Sequence, residues 1–163
     1  MTSPNLDATL NVHSPKIVSA FRIIVGLLFA LHGSMILFDW PLAMPMRANV
    51  GDWPSWWVGL IEIVTGLLVM LGLFTRPAAF LASGTMAVAY FWQHWPFNEG
   101  PKVFWPFGKD IGGNGGELAI LFCFSFLLIL FIGPGAYAID TMRRRRPVAG
   151  SAVGGSAPPR PGS

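Results

Sequence analysis

Four long apolar runs restrict the fold of this chain of 163 residues more than any other feature of its sequence. A helix needs roughly 20 apolar residues, at about 1.5 Å each, to cross the ~30 Å hydrocarbon core of a bilayer. The runs that approach or reach this length cover 17–38, 56–74, 77–95 and about 115–136. We therefore predict an all-α integral membrane protein, folded as a four-transmembrane-helix bundle over residues 17–140.

The composition favours lipid as the surroundings of the chain. Hydrophobic residues make up 53% of it and charged residues 12%, which is far from the balance of a soluble domain. The net charge of +3 does not indicate nucleic acid, because four basic residues form one run, 143–146, directly after the last apolar run. Cys123 is the only cysteine, which excludes an intramolecular disulfide and a thiolate metal cluster.

The connections between the runs predict how the chain crosses the membrane. Only Thr75 and Arg76 separate the second and third runs, so these should form an antiparallel helical hairpin. The two longer connections are rich in proline and in tryptophans typical of a membrane interface, namely Trp40, Trp53, Trp95 and Trp105. Lys16, Arg76 and the 143–146 run lie on the opposite side, so the positive-inside rule places both termini in the cytoplasm.

Both ends of the chain are predicted to lie outside the bundle. Residues 1–16 are polar and lack the basic start and the cleavage pattern of a secretory signal, so we expect a cytoplasmic segment followed by an uncleaved first span. Residues 141–163 are basic at first and then rich in Pro, Gly, Ser and Ala. Such a composition predicts a disordered cytoplasmic tail.

Five ionisable residues lie within or at the ends of the apolar runs, where a charge is costly and a functional site is the default hypothesis. Arg22 either extends toward the cytoplasmic headgroups or pairs with Glu62. Glu62 is too deep to reach water, so it forms either a structural hydrogen bond or a ligand or proton site. The topology places the other three toward the outer ends of their spans: His32, His94 and Glu117.

The chemistry of this polar cluster leaves several interpretations open. Two histidines and two carboxylates suit Zn²⁺ or iron, or hydrogen bonding to a quinone. No HxxxH or ExxH pair occurs on one helix, so we assign no metal site and no catalytic residue. For His94, interfacial hydrogen bonding is the simpler interpretation. Glu117 either joins the cluster or starts its helix as the partner of an Asn114 N-cap, and the glycines around them could instead surround an anion.

Four glycines are predicted to bring helices close together. Gly26 and Gly33 share a stripe of the first span with Arg22, and Gly59 and Gly66 share a face of the second with Glu62. Small residues of this kind allow transmembrane helices to approach one another closely.

Several of these residues together resemble the DoxX family of small four-span bacterial membrane proteins. The resemblance rests on R-x3-G-x2-F-x2-HG at 22–33, on Glu62 with Gly66 and the following GLFTRPAA, on NGGE at 114–117, and on GPG-x4-D ending at Asp140. It is in register over about residues 19–140. Many relatives carry a lysine soon after the HG, whereas this chain reads HGSMILF, so any role of that lysine does not transfer.

The resemblance implies a location in the bacterial inner membrane and a place near redox chemistry. The family takes its name from its similarity to a membrane subunit of a thiosulfate:quinone oxidoreductase, and some members are thought to assemble with soluble redox or sulfur-transfer enzymes in oxidative-stress defence. The leading hypothesis is thus a membrane subunit of a redox or quinone-linked complex, with a quinone as the implied ligand and further copies of the chain as an additional class of partner. A small proton-coupled transporter and a non-catalytic scaffold are the alternatives. Haem held by His32 and His94 is a weaker one, and whether the protein is an enzyme stays open.

Overall fold

The computed structural model describes residues 4–43, 48–94, 106–108 and 113–145. All regular structure in these ranges is helical, as the sequence predicts, and they contain no strand. The helices are α1 (Pro4–Phe38), α2 (Ser55–Leu71), α3 (Thr75–Ala89), α4 (Glu117–Ile132) and α5 (Ile139–Arg145), with a π-helical turn, Tyr90–His94, directly after α3.

The helices differ in how well they could cross a bilayer. Among the described ranges, only Leu6–Phe38 of α1 is both long and apolar enough by length and composition. Ser55–Leu71 and Glu117–Ile132 are apolar but shorter, at 17 and 16 residues. The described residues thus form an all-helical structure, while the number of helices that cross the membrane stays a prediction.

The two ends of the bundle differ from the sequence prediction. Helix α1 begins at Pro4, so the polar segment before Ile17 continues the first span as one helix and is not separate from it. At the other end, the tail predicted as disordered from residue 141 starts with α5, whose first residue is Ile139. Residues 146–163, together with Trp95 and Trp105, lie outside the described residues.

Helices α1 and α2 touch through glycine. A Cβ atom on Gly66 would lie 2.7 Å from the backbone nitrogen of Ala30 and 2.8 Å from the carbonyl oxygen of Gly26. A Cβ atom on Gly33 would lie 2.6 Å from the carbonyl oxygen of Gly59. Real Cβ atoms do not approach so closely, so all four glycines named from the sequence lie where the two backbones meet.

The other half of the bundle packs through larger side chains. Helix α3 packs mainly on α4, and Phe29 of α1 contacts both Phe122 and Phe126 of α4, with ring centroids 5.2 and 4.7 Å apart. Only residues 72–74 separate α2 from α3, with Gly72 and Phe74 in the left-handed backbone region. This tight turn holds the end of α2 close to the start of α3.

Candidate ligand-binding cleft

A cleft of about 780 Å³ lies between α2 and α3. Its walls come from Trp53–Glu62 on one side and from Phe80–His94 on the other, and α1 and the start of α4 complete it. Most of these lining residues lie in the parts of α2 and α3 that are distant from the 72–74 turn. The volume falls within the ~300–1,000 Å³ typical of small-molecule sites.

The lining of the cleft is mainly aromatic and aliphatic. Its larger apolar members include Trp53, Trp57, Phe80, Leu81, Trp92 and Phe122. A few polar side chains interrupt this surface, and two of them are the hydrogen-bonded pair His32 and Glu62. The cleft therefore combines apolar walls with a small number of fixed polar groups, which is the usual make-up of a ligand pocket.

His32 and Glu62 form the polar centre of the cleft. His32 Nδ1 lies 2.7 Å from Glu62 Oε2, and the side chain of Glu62 is only 1% exposed, against 26% for His32. The absent side chain of Gly33 makes room for this pair, since a Cβ there would lie 2.8 Å from the Cβ of Glu62. The close α1–α2 packing and the polar pair thus depend on the same glycine.

The protonation of this pair determines what the imidazole can offer a ligand. Burial in an apolar environment favours a pair without net charge. A net-neutral pair holds two protons, one between Nδ1 and the carboxylate and one on Nε2, whether it is an ion pair or two neutral groups. Among the residues that the structure describes, Nε2 has no hydrogen-bond partner. His32 therefore provides an N–H donor that is open to a ligand.

His94 lines the same cleft and anchors the segment before α4. Its Nδ1 lies 2.9 Å from the carbonyl oxygen of Asn114, and its ring stacks against Tyr90 with centroids 6.3 Å apart. Asn114 is 1% exposed, and its Oδ1 accepts a hydrogen bond of 2.8 Å from the backbone N–H of Gly116. One of the alternatives drawn from the sequence makes Asn114 the N-cap of the fourth span. In the structure, helix α4 starts at Glu117 and its N-cap is Gly116.

Glu117 does not join His32 and Glu62, contrary to the prediction that it turns toward them. It is the first residue of α4 and is exposed, whereas Ala119 and Phe122 face the cleft. Because each residue advances about 100° around a helix, a side chain two positions before Ala119 points to roughly the opposite side. The reciprocal capping box with Asn114 is not formed either, since α4 has no side-chain cap hydrogen bond.

Arg22 lies at the other end of the bundle and pairs with neither Glu62 nor headgroups. Its side chain is fully buried, and its partners among the described residues are all backbone carbonyls: those of Val69, Met70, Pro134 and Tyr137. The first two are carbonyls of the last turn of α2, and that of Val69 also accepts a hydrogen bond of 3.0 Å from the backbone N–H of the C-cap Gly72. Arg22 therefore joins α1, the end of α2 and the GPG loop, and it is absent from the cleft lining.

Asp140 performs a structural role that the sequence motif alone did not assign. Its carboxylate accepts hydrogen bonds from the backbone N–H of Phe74 (3.1 Å) and of Thr75 (2.9 Å), and from the Thr75 hydroxyl (2.9 Å). These groups belong to the first turn of α3. Burial opposes ionisation of Asp140, but the hydrogen bonds and nearby Arg143 outweigh it, so the pKa lies below its ordinary value.

The donor set of the cleft does not resemble a metal site. Within the described ranges, no group of three His, Cys, Asp or Glu side chains lies close enough together to hold an ion. His32 and Glu62 form a two-residue unit, while His94 is bonded to a backbone carbonyl. The arrangement is better suited to hydrogen bonding with an organic ligand.

The profile of the DoxX family matches residues 17–95, which include His32, Glu62 and the residues of α3 that line the cleft. An uncharacterised protein of Haemophilus influenzae is 41% identical over 132 residues, which are 80% of this chain and 93% of that protein. The chain belongs to the DoxX family. The resemblance seen in the sequence motifs is thereby confirmed.

A second relative of this DoxX protein supports its location in a membrane. Inner membrane protein YqjF of Escherichia coli is 32% identical over 87 residues, which are 53% of this chain and 59% of that protein. No solved structure matches the chain. Family membership and this relative together identify a DoxX membrane protein.

Proposed function

We propose that this DoxX protein is a multi-pass inner-membrane subunit of a redox complex, and that its cleft binds a quinone or a similar lipid-soluble molecule. The observation that carries the proposal is the His32–Glu62 pair in the wall of a mainly apolar cleft of about 780 Å³. A quinone ring requires apolar walls and a hydrogen-bond donor at a carbonyl oxygen. His32 Nε2–H supplies the donor, and Glu62 fixes the orientation of the ring that carries it.

The topology in this proposal has four spans with both termini in the cytoplasm. Support comes from Arg76 and from the basic residues 143–145, which lie at the Arg22 end of the bundle, while the cleft lies at the opposite end. The soluble partners are redox or sulfur-transfer enzymes, as the family resemblance implies. They would contact the protein at the cytoplasmic end.

Quinone binding is tested with purified protein in lipid nanodiscs. Adding a short-chain ubiquinone analogue should raise the apparent Tm of the wild type. The double variant His32→Leu with Glu62→Leu should lose this increase, because the donor is gone while no buried charge is left unpaired. Glu117→Gln is the matched control, since Glu117 lies outside the cleft, and it should respond as the wild type does. A wild type that shows no increase would overturn the proposal.

A proton-coupled transporter is the second candidate, and the same histidine–carboxylate pair favours it. His32 is partly accessible and Glu62 is buried behind it, so a proton taken up at the imidazole could be passed to the carboxylate. This function requires that Glu62→Gln abolish substrate or proton flux in reconstituted vesicles. If flux is the same in wild type and Glu62→Gln, the transporter is excluded and the quinone proposal is unaffected.

A further inference from the structure

The cleft has one place on α3 that carries no side chain. Glu62 lies ten residues before Gly72, which ends α2, and Gly84 lies ten residues after Phe74, which precedes α3. At about 1.5 Å per residue, both positions are about 15 Å from the turn and therefore at the same height in the bundle. Both residues line the cleft. Helix α3 thus offers a glycine at the level of the His32–Glu62 pair.

Gly84 differs from the glycines of α1 and α2. A Cβ atom on any of those four would lie within about 3 Å of atoms in the facing helix, so their place in the sequence is explained by packing. A Cβ atom on Gly84 would have no described atom within 4 Å. Glycine is a poor helix former, and nothing in the described part of the chain requires it there. Gly84 is itself exposed, so its missing side chain leaves a gap in the exposed wall of the cleft at the level of the polar pair.

The surface around this gap is apolar and exposed. Phe80, Leu81 and Val88 lie three or four residues from Gly84 on the same side of α3, and all three are at least half exposed. On the other edge of the cleft, Trp57 of α2 is also exposed. In the proposed topology α3 spans the membrane, so this surface would face hydrocarbon and the gap would join the interior of the cleft to the lipid tails.

We propose that the cleft takes its ligand sideways from the bilayer, and that this ligand is a quinone-type ring bearing a long apolar chain. The ring oxygen accepts a hydrogen bond from His32, and the chain leaves the cleft across Gly84 into the lipid. The inference rests on the proposed function and adds the class of quinone, an alkylated one, and its route. A ring without a chain would leave the gap empty, whereas the missing side chain at residue 84 accommodates the first carbons of a chain.

Two probes with the same ring distinguish this route from binding in general: ubiquinone-0, which has no chain, and decylubiquinone. Binding to the protein in nanodiscs is monitored through the decrease in tryptophan fluorescence, since Trp57 and Trp92 line the cleft. The ligand concentration is expressed per mole of lipid.

Gly84→Phe should weaken the binding of decylubiquinone at least about tenfold, because the new ring occupies the path of the chain. It should change ubiquinone-0 by less than about threefold. Gly84→Leu is used if the Phe variant does not fold, and Gly84→Ala, which adds only one methyl group, should weaken decylubiquinone less than Gly84→Phe does.

Each outcome separates the route from the function itself. If the wild type binds neither probe, the proposed function fails and the route fails with it. If the wild type binds both probes but Gly84→Phe weakens them equally or not at all, the function survives and the sideways route is wrong. If Gly84→Phe changes only the oligomeric state, measured by mass photometry of the nanodiscs, then Gly84 serves contact with a second copy and the inference is overturned.

Discussion

At the scale of single residues, the main feature is that three polar side chains have quite different partners. Among the described residues, Glu62 bonds to His32, Arg22 donates only to backbone carbonyls, and Asp140 bonds to the first turn of α3. That Glu62 has a polar partner could be predicted from the sequence, because a carboxyl in the middle of an apolar run requires one. The partners of Arg22 could not, since backbone carbonyls occur at every position and leave no trace in a sequence.

Breaking the His32–Glu62 pair should destabilise the protein more than removing both members. His32→Leu leaves a buried carboxyl without its partner, and the loss of one member of a buried pair typically costs about 3–5 kcal/mol. Changing both residues to leucine removes that penalty, so the double variant should unfold at a higher temperature than His32→Leu alone. Thermal unfolding in a mild detergent makes the comparison. A double variant less stable than the single one would show that the pair stabilises the fold in its own right.

Asp140 should give the protein an acid-sensitive contribution to stability. Because its pKa in the folded state lies below the ordinary value of 3.8, the ionised form is favoured in the folded protein. Its contribution is complete above about pH 4, declines as the pH falls below that value, and is lost below the folded-state pKa. Asp140→Asn should lower stability by about 0.3–1 kcal/mol at pH 7, because the amide lacks the negative charge that interacts favourably with the N-terminus of α3. The difference between wild type and variant, measured by unfolding from pH 7 to pH 3, should shrink toward zero. A difference that is constant across this range would contradict the assignment.

At the scale of helices, the periodic apolar pattern predicted the elements well and their ends less well. The apolar runs correspond to α1, α2, α3 with its π-helical turn, and α4. Glu117 was misplaced because packing decides which face of α4 meets the cleft, and Glu117 lies about 200° around the helix from Ala119, which lines it. The extension of α1 to Pro4 was also missed. A proline such as Pro15 often marks a helix boundary, yet α1 continues through it. The Pro15 carbonyl accepts hydrogen bonds from the hydroxyl of Ser19, one turn later in α1, and from the backbone N–H of Ala136, which follows α4.

The contact between α1 and α2 should tolerate no added methyl group at Gly66. A Cβ there would lie 2.7 Å from the backbone nitrogen of Ala30, and backbone atoms cannot move aside cheaply. Gly66→Ala should therefore destabilise the protein by about 1–3 kcal/mol. Gly84→Ala is the matched control, because its Cβ would meet open space and alanine is the better helix former. Chemical or thermal unfolding in detergent measures both. Equal stability of the two variants would mean that α1 and α2 do not touch through Gly66.

At the scale of the whole molecule, the two ends of the bundle differ in what they hold. One end holds the structural contacts of Arg22, Asp140 and the GPG loop, and the other holds the cleft with His32, Glu62 and His94. Among the polar residues chosen from the sequence, the cleft brings together these last three and leaves out Arg22 and Glu117. The cleft itself could not be predicted, because its volume depends on how α2 and α3 separate beyond their turn.

The proposed topology places these two ends on opposite sides of the membrane. In a Cys123→Ser background, Val50→Cys and Arg144→Cys each introduce one exposed thiol. A membrane-impermeant maleimide added to intact spheroplasts should label position 50 only, and added to inverted vesicles it should label position 144 only. Labelling of both positions from the same side would exclude four spans with cytoplasmic termini.

Whether the His32–Glu62 cleft holds a quinone-type molecule can be read from what the protein carries out of its own membrane. Wild type, the double variant His32→Leu with Glu62→Leu, and Glu117→Gln are purified in parallel in mild detergent, and their bound small molecules are extracted and identified by mass spectrometry. A quinone-type molecule should accompany the wild type and Glu117→Gln in similar amounts and be depleted from the double variant. Its absence from the wild type, or its equal recovery from all three proteins, would contradict the account.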